Sequence, residues 1–180
     1  MEDLEQIRSI PWCAPHLNKP DLVVKVAECR REKSGGLDRL FAKTLNTADT
    51  LQGFIIFHPR PRNPTDRVAE LKAFISVEKG VNGFGGVCHG GIIATMLDEV
   101  MGQHIEVNQR SRAIPYPLLM TAYINTRFMA PIRTPATIMV TSRLGEVEGR
   151  KYKFEAAIED ETGKKLAECD ALFLAVKGKI

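Results

Sequence analysis

The chain lacks the marks of most specialised protein classes. Its four cysteines, Cys13, Cys29, Cys88 and Cys169, are scattered, with no Cys-x-x-Cys. That spacing speaks against a disulfide scaffold or a zinc site, and for reduced thiols in an intracellular compartment, with the cytoplasm as the default expectation. No apolar run approaches the ~20 residues that a membrane span requires. Residues 1–10 include Glu2, Asp3, Glu5 and Arg8, unlike a secretory signal or an acid-poor transit peptide. Neither sign of charge dominates: 25 Lys and Arg face 22 Asp and Glu, a formal net charge of +3. The two signs are interspersed, so no nucleic-acid footprint is expected. His16, His58 and His104 have no ligand-like spacing, and no P-loop, His-Glu-x-x-His or dinucleotide fingerprint is present. No metal, nucleotide or flavin cofactor is expected.

What remains is an ordinary globular composition, and 180 residues suffice for one domain with a core. Residues 1–48 read as an N-terminal extension, partly helical and partly irregular. Met1–Ile10 suits a short helix ended by Pro11, and Asp38–Leu45 a second. Trp12, set between prolines, is expected as a packing anchor. The run Arg30-Arg31-Glu32-Lys33 reads as a solvated loop. From residue 49 to 180 the pattern becomes that of a second, larger unit. Strands are expected at Leu51–His58 and Arg67–Val77, then a long helix at about Gly90–Glu106. Four more strands follow, at Leu118–Met129, Ala136–Val147, Tyr152–Asp160 and Lys165–Val176. Runs of strands around one segregated helix imply an α+β fold with an antiparallel sheet wrapped on that helix.

The most informative stretch is Phe84-Gly85-Gly86-Val87-Cys88-His89-Gly90-Gly91, which leads into the helix. Loop glycines let backbone amides approach a ligand closely. A helix N-terminus offers unpaired N–H groups to an anion or a developing oxyanion. Within the helix Ile92, Ile93, Met96, Leu97, Val100 and Met101 surround a narrow polar stripe of Thr95, Asp98, Glu99 and Gln103. A helix apolar on most faces is a buried one, so a carboxylate in it is costly unless something requires it. An oxyanion site beside an acid, base or nucleophile is the reading that results.

These residues resemble the hotdog-fold thioesterases, in the branch of the phenylacetate-pathway and human thioesterase-superfamily-member proteins. His89-Gly90-Gly91 and Asp98, nine positions after the histidine, match that signature. Leu119-Met120-Thr121-Ala122-Tyr123-Ile124-Asn125 with Phe128-Met129-Ala130-Pro131 looks like the strand that follows the family's helix. The resemblance spans about Thr50–Val176. It implies a hotdog fold and an acyl-CoA thioesterase, with coenzyme A as part of the substrate and no other cofactor. Asp98 would be nucleophile or general base, an amide of Gly90 or Gly91 the oxyanion donor, His89 a loop-orienting or thioester-contacting group, and Thr121 the residue that orients Asp98 or a water. Asn82, Gly86, Glu99 and Asn125 are the expected substrate-binding residues; Asn125 is placed on the Thr121 face by strand periodicity. Cys88 is expected as a packed thiol.

In such a family the site is shared between subunits, so a homodimer or a dimer of dimers is implied. The CoA phosphates would be met by some of Arg60, Arg62, Arg127, Arg133, Arg150 and Lys151. Two other readings stay open: release of acyl or polyketide groups from an acyl carrier protein, and a non-catalytic acyl-CoA-binding protein.

Overall fold

A computed structural model describes residues 2–176. Met1, at the head of the expected first helix, and residues 177–180, at the end of the expected 49–180 unit, lie outside the described residues. The elements are α1 (Glu2–Arg8), α2 (Ala14–Leu17), β1 (Leu22–Val26), β2 (Leu51–Pro59), β3 (Glu70–Val77), β4 (Asn82–Phe84), β5 (Val87–Cys88), α3 (Gly90–Arg110), β6 (Leu119–Phe128), β7 (Ala136–Glu148), β8 (Lys151–Glu159) and β9 (Lys165–Ala175). Seven strands form one antiparallel sheet in the order β1-β2-β3-β7-β8-β9-β6, and β4-β5 is a small separate hairpin. This is the α+β architecture expected.

The 21-residue α3 packs on one face of the sheet, against β3, β6, β7, β8 and β9. Ile93, Met96, Leu97, Val100, Met101 and Ile105 bury there among Leu71, Phe154, Ala171 and Phe173. Polar residues on the helix are buried with partners, as a low-dielectric core demands. His104 lies between Ser142 Oγ (2.9 Å) and the Val68 carbonyl (2.8 Å). Burial pushes its imidazole pKa down to about 4. The Asn108 side chain bonds both the N–H and the carbonyl of Val68.

The opposite face of the sheet is covered at β1, β2 and β3 by α1 and α2. Ile7, Cys13 and Leu17 pack there on Ile55, Phe57, Phe74 and Met139. Trp12 meets Phe74 edge-on at 4.9 Å between ring centroids, the anchor role expected of it. Two features of this region depart from the sequence reading. Leu22–Val26 forms a strand, pairing with β2 from Leu22↔Pro59 to Val26↔Ile55. Arg30 is not in a solvated loop: its side chain is buried, with Nε on Asp3 Oδ2 (2.9 Å) and the other nitrogens on the carbonyls of Leu51 and Gln52. Asp3 Oδ2 also accepts from the Phe54 N–H (2.9 Å), so the two charges fasten α1 to the start of β2.

Candidate active site

The start of α3 is built by His89. Its Nδ1 accepts from the Gly91 N–H at 2.9 Å, capping the helix with a side chain. A ring that accepts at Nδ1 carries its proton on Nε2. The His89 N–H in turn donates to the Val81 carbonyl (2.8 Å). The hairpin backbone lies so close to the ring that a Cβ on Gly83 would fall 2.9 Å from His89 Cδ2. The Gly91 amide is thus consumed by the cap. The Gly90 N–H has no partner among the described residues, and Gly90 lines a cleft of about 530 Å³. Of the two expected oxyanion donors, Gly90 is the one free to act.

That cleft is walled by Phe84, Val87, Ile93, Phe128, Met129 and Ile132. Phe128 and Phe84 are large apolar side chains left 57% and 80% exposed. The Phe128 ring stands beside Gly90, within 3.5 Å of where a Cβ would sit. Cys88 also lines the cleft but is buried, and desolvation raises its thiol pKa to about 11. It is a packed thiol.

Two turns further along α3, half-buried Asp98 meets β6. Thr121 Oγ1 donates to Asp98 Oδ1 at 2.8 Å. Glu99, the adjacent carboxylate, turns away from Thr121. Its Oε1 accepts from Gln103 Nε2 (3.0 Å). Burial raises the Glu99 pKa. The same Gln103 accepts the Glu28 N–H through Oε1 (2.9 Å). Glu99 therefore joins α3 to the turn after β1 and does not reach the Asp98 side of the helix.

Asn125 does not share a face with Thr121. The pairing of β6 with β9 shifts between Thr121↔Phe173 and Tyr123↔Leu172, a bulge that inserts one residue. Beyond it the alternation is reversed. Ile124, Thr126 and Phe128 follow Thr121 towards α3, while Asn125 faces outwards and donates to Asp170 Oδ2 (2.9 Å). Thr126, unremarked in the sequence, places its hydroxyl on the inner side with no hydrogen-bond partner among the described residues. The Asn82 Oδ1 accepts from Thr134 Oγ1, bracing the β4-β5 hairpin. Gly86 occupies the hairpin turn at φ +70°, a conformation that favours glycine. Among the cations expected near CoA, Arg127 pairs with Glu168 (2.8 Å) and Arg150 donates to the Ala175 carbonyl (3.0 Å). Arg133 has no such partner among the described residues and follows Ile132 at the edge of the cleft.

The sequence model of the thioesterase superfamily matches residues 85–167, which contain the His89 cap, α3 and the Thr121 strand. Verlamelin biosynthesis protein B of a Lecanicillium species is 32% identical over 166 residues, covering 76% of this chain and 72% of that protein. The mouse acyl-coenzyme A thioesterase THEM4 is 34% identical over 95 residues, covering 52% of this chain and 38% of that protein. In structure, a hypothetical thioesterase from Streptococcus pneumoniae solved with coenzyme A superposes with a TM-score of 0.58 at 10% identity, over 73% of this chain and 91% of that one. The same pneumococcal protein has been solved with an aspartate, and separately a threonine, replaced by alanine. The chain belongs to the thioesterase superfamily and has the hotdog fold.

Proposed function

We propose that this protein hydrolyses acyl-CoA thioesters with apolar acyl groups. The observation that carries the reading is the Thr121–Asp98 hydrogen bond, on the one strip of α3 that is not packed away. Asp98 attacks the thioester carbonyl or takes a proton from the water that does. The Gly90 N–H receives the developing oxyanion, and the thiolate of CoA departs. An oxyanion donor must lie about 3 Å from the oxygen it stabilises. Gly90 and Asp98 are eight helix positions apart, about 12 Å along the axis. One chain therefore does not bring both to the same carbonyl.

A second copy supplies the missing half in this proposal. Strand β6 ends the sheet with an edge unpaired among the described residues, which a partner's β6 would cover. Met120, Tyr123, Phe128 and Met129 leave large apolar side chains exposed along and beside it. Asp98 of each chain would then face Gly90 of the other. The cleft beside Gly90, walled by aliphatic and aromatic side chains, suits a hydrocarbon acyl group better than a charged one.

The test is release of free thiol from a panel of acyl-CoA esters, with the same acyl groups on an acyl carrier protein in parallel. Turnover of apolar acyl-CoA, abolished in Asp98→Asn, is expected. Turnover confined to the carrier-bound esters, or binding of acyl-CoA without hydrolysis, would replace this reading.

A further inference from the structure

A second groove lies at the other end of α3, about 26 Å along the helix from Gly90 by residue count. Its floor is Val23 of β1, Val68, and Val107 of α3, with Pro61 and Pro64 on one wall; its volume is about 500 Å³. Val23 and Lys25 are alternate residues of β1 and point to the same side. The groove thus depends on β1, a strand of the N-terminal region.

Among the described residues four cations, Lys25, Arg60, Arg62 and Arg110, line it, and no carboxylate does. Glu28 lies just outside and holds Lys25 (3.6 Å), Arg31 (3.6 Å) and Arg110 (3.2 Å); Arg110 also pairs with Glu106 (2.8 Å). The exposed Arg60 and Arg62 side chains have neither a salt bridge nor a hydrogen bond among the described residues. The nearby Asp66 is occupied with Asn63. His58 sits at the back wall, its Nδ1 turned to the Pro59 carbonyl (2.9 Å).

An apolar floor under unpaired guanidinium groups selects a ligand with an apolar body and an anionic head. Arginine's planar fork fits a carboxylate with two parallel hydrogen bonds. Apart from the His58 ring, the described residues of the groove offer no aromatic surface on which a nucleobase would stack. We propose that this groove is a binding site for an aliphatic carboxylate, with the head group on Arg60 and Arg62 and the chain over Val23, Val68 and Val107. Acids of this class are also the products of the hydrolysis proposed above, but the site's chemistry does not require that reaction.

Calorimetric titration of dodecanoate into the full chain tests it, with dodecanol as the neutral counterpart. The Arg60→Gln/Arg62→Gln double variant is expected to bind dodecanoate at least about tenfold more weakly, since two charge-assisted contacts are lost. Phe128→Ala, which alters the cleft beside Gly90 and the exposed face of β6 but no residue of this groove, should leave this binding unchanged. Dodecanoate bound equally by the double variant, or dodecanol bound as tightly as dodecanoate, would overturn the proposal. So would binding lost in Phe128→Ala, or no binding at all. A protein that hydrolyses no thioester yet binds dodecanoate through these arginines would leave the site standing.

Discussion

Thr121 Oγ1 lies 2.8 Å from Asp98 Oδ1, with the hydroxyl as donor, so one oxygen of the carboxylate is fixed and the other is free among the described residues. The proposed chemistry runs through that free oxygen. Thr121→Val keeps the shape of the strand residue and removes the donor. It is expected to lower kcat by about 10-fold or more, with KM nearly unchanged, because the hydroxyl orients the carboxylate without anchoring the acyl group. Asp98→Asn should lose about 10²–10⁴-fold, the usual worth of a positioned base. Steady-state thiol release checks both.

Gly90→Pro separates the oxyanion donor from the fold. Proline lacks the N–H and is well tolerated at the first position of a helix. The preceding residue, His89, already has φ −65° and ψ 136°, which a following proline accepts. The thermal midpoint should hold or rise, while kcat falls about 10²–10³-fold. A variant that keeps wild-type turnover would move the oxyanion donor elsewhere.

Buried Arg30 pairs with half-buried Asp3, and all three guanidinium nitrogens are engaged. Arg30→Ala strands the Asp3 carboxylate and two carbonyls, and should cost about 3 kcal/mol of stability in denaturant unfolding. Deleting the charge at both positions together should cost less than the sum of the single losses.

His104 makes folding sensitive to acid. Its folded pKa of about 4 lies below the unfolded 6.5, because burial disfavours the charged ring. Above pH 6.5 both states are neutral and the histidine adds no slope. As pH falls towards 4 the unfolded chain takes a proton that the folded one refuses, so stability declines through that window, by about 3 kcal/mol in all. His58, also shifted down by burial, acts in the same direction. Denaturant unfolding across this range, with the His104 ring followed by NMR, should show the decline and a ring still neutral at pH 5.

The sequence made the large elements legible because their hydrophobic periods are long and unbroken. All six expected strands and α3 appear within a few residues of their expected ends. Leu22–Val26 escaped because five residues hemmed by prolines and a charge cluster carry too little pattern. Arg30 looked solvated for the same reason: only the folded chain places Asp3 next to it. At the site, Asp98 and Thr121 were singled out by motif, and the structure brings them together. Asn125 was placed on the wrong face because a one-residue bulge leaves no signature in the alternation of types. The choice between Gly90 and Gly91 rested on where the His89 ring turns, a tertiary fact.

The claim that two chains share each site is tested by mixing two inactive variants. Asp98→Asn and Gly90→Pro copies are combined under conditions that exchange subunits. If Asp98 of one chain serves Gly90 of the other, each mixed dimer contains one intact site and one doubly damaged site. Random pairing then restores roughly a quarter of wild-type thiol release. A mixture no more active than its two components would contradict the shared site.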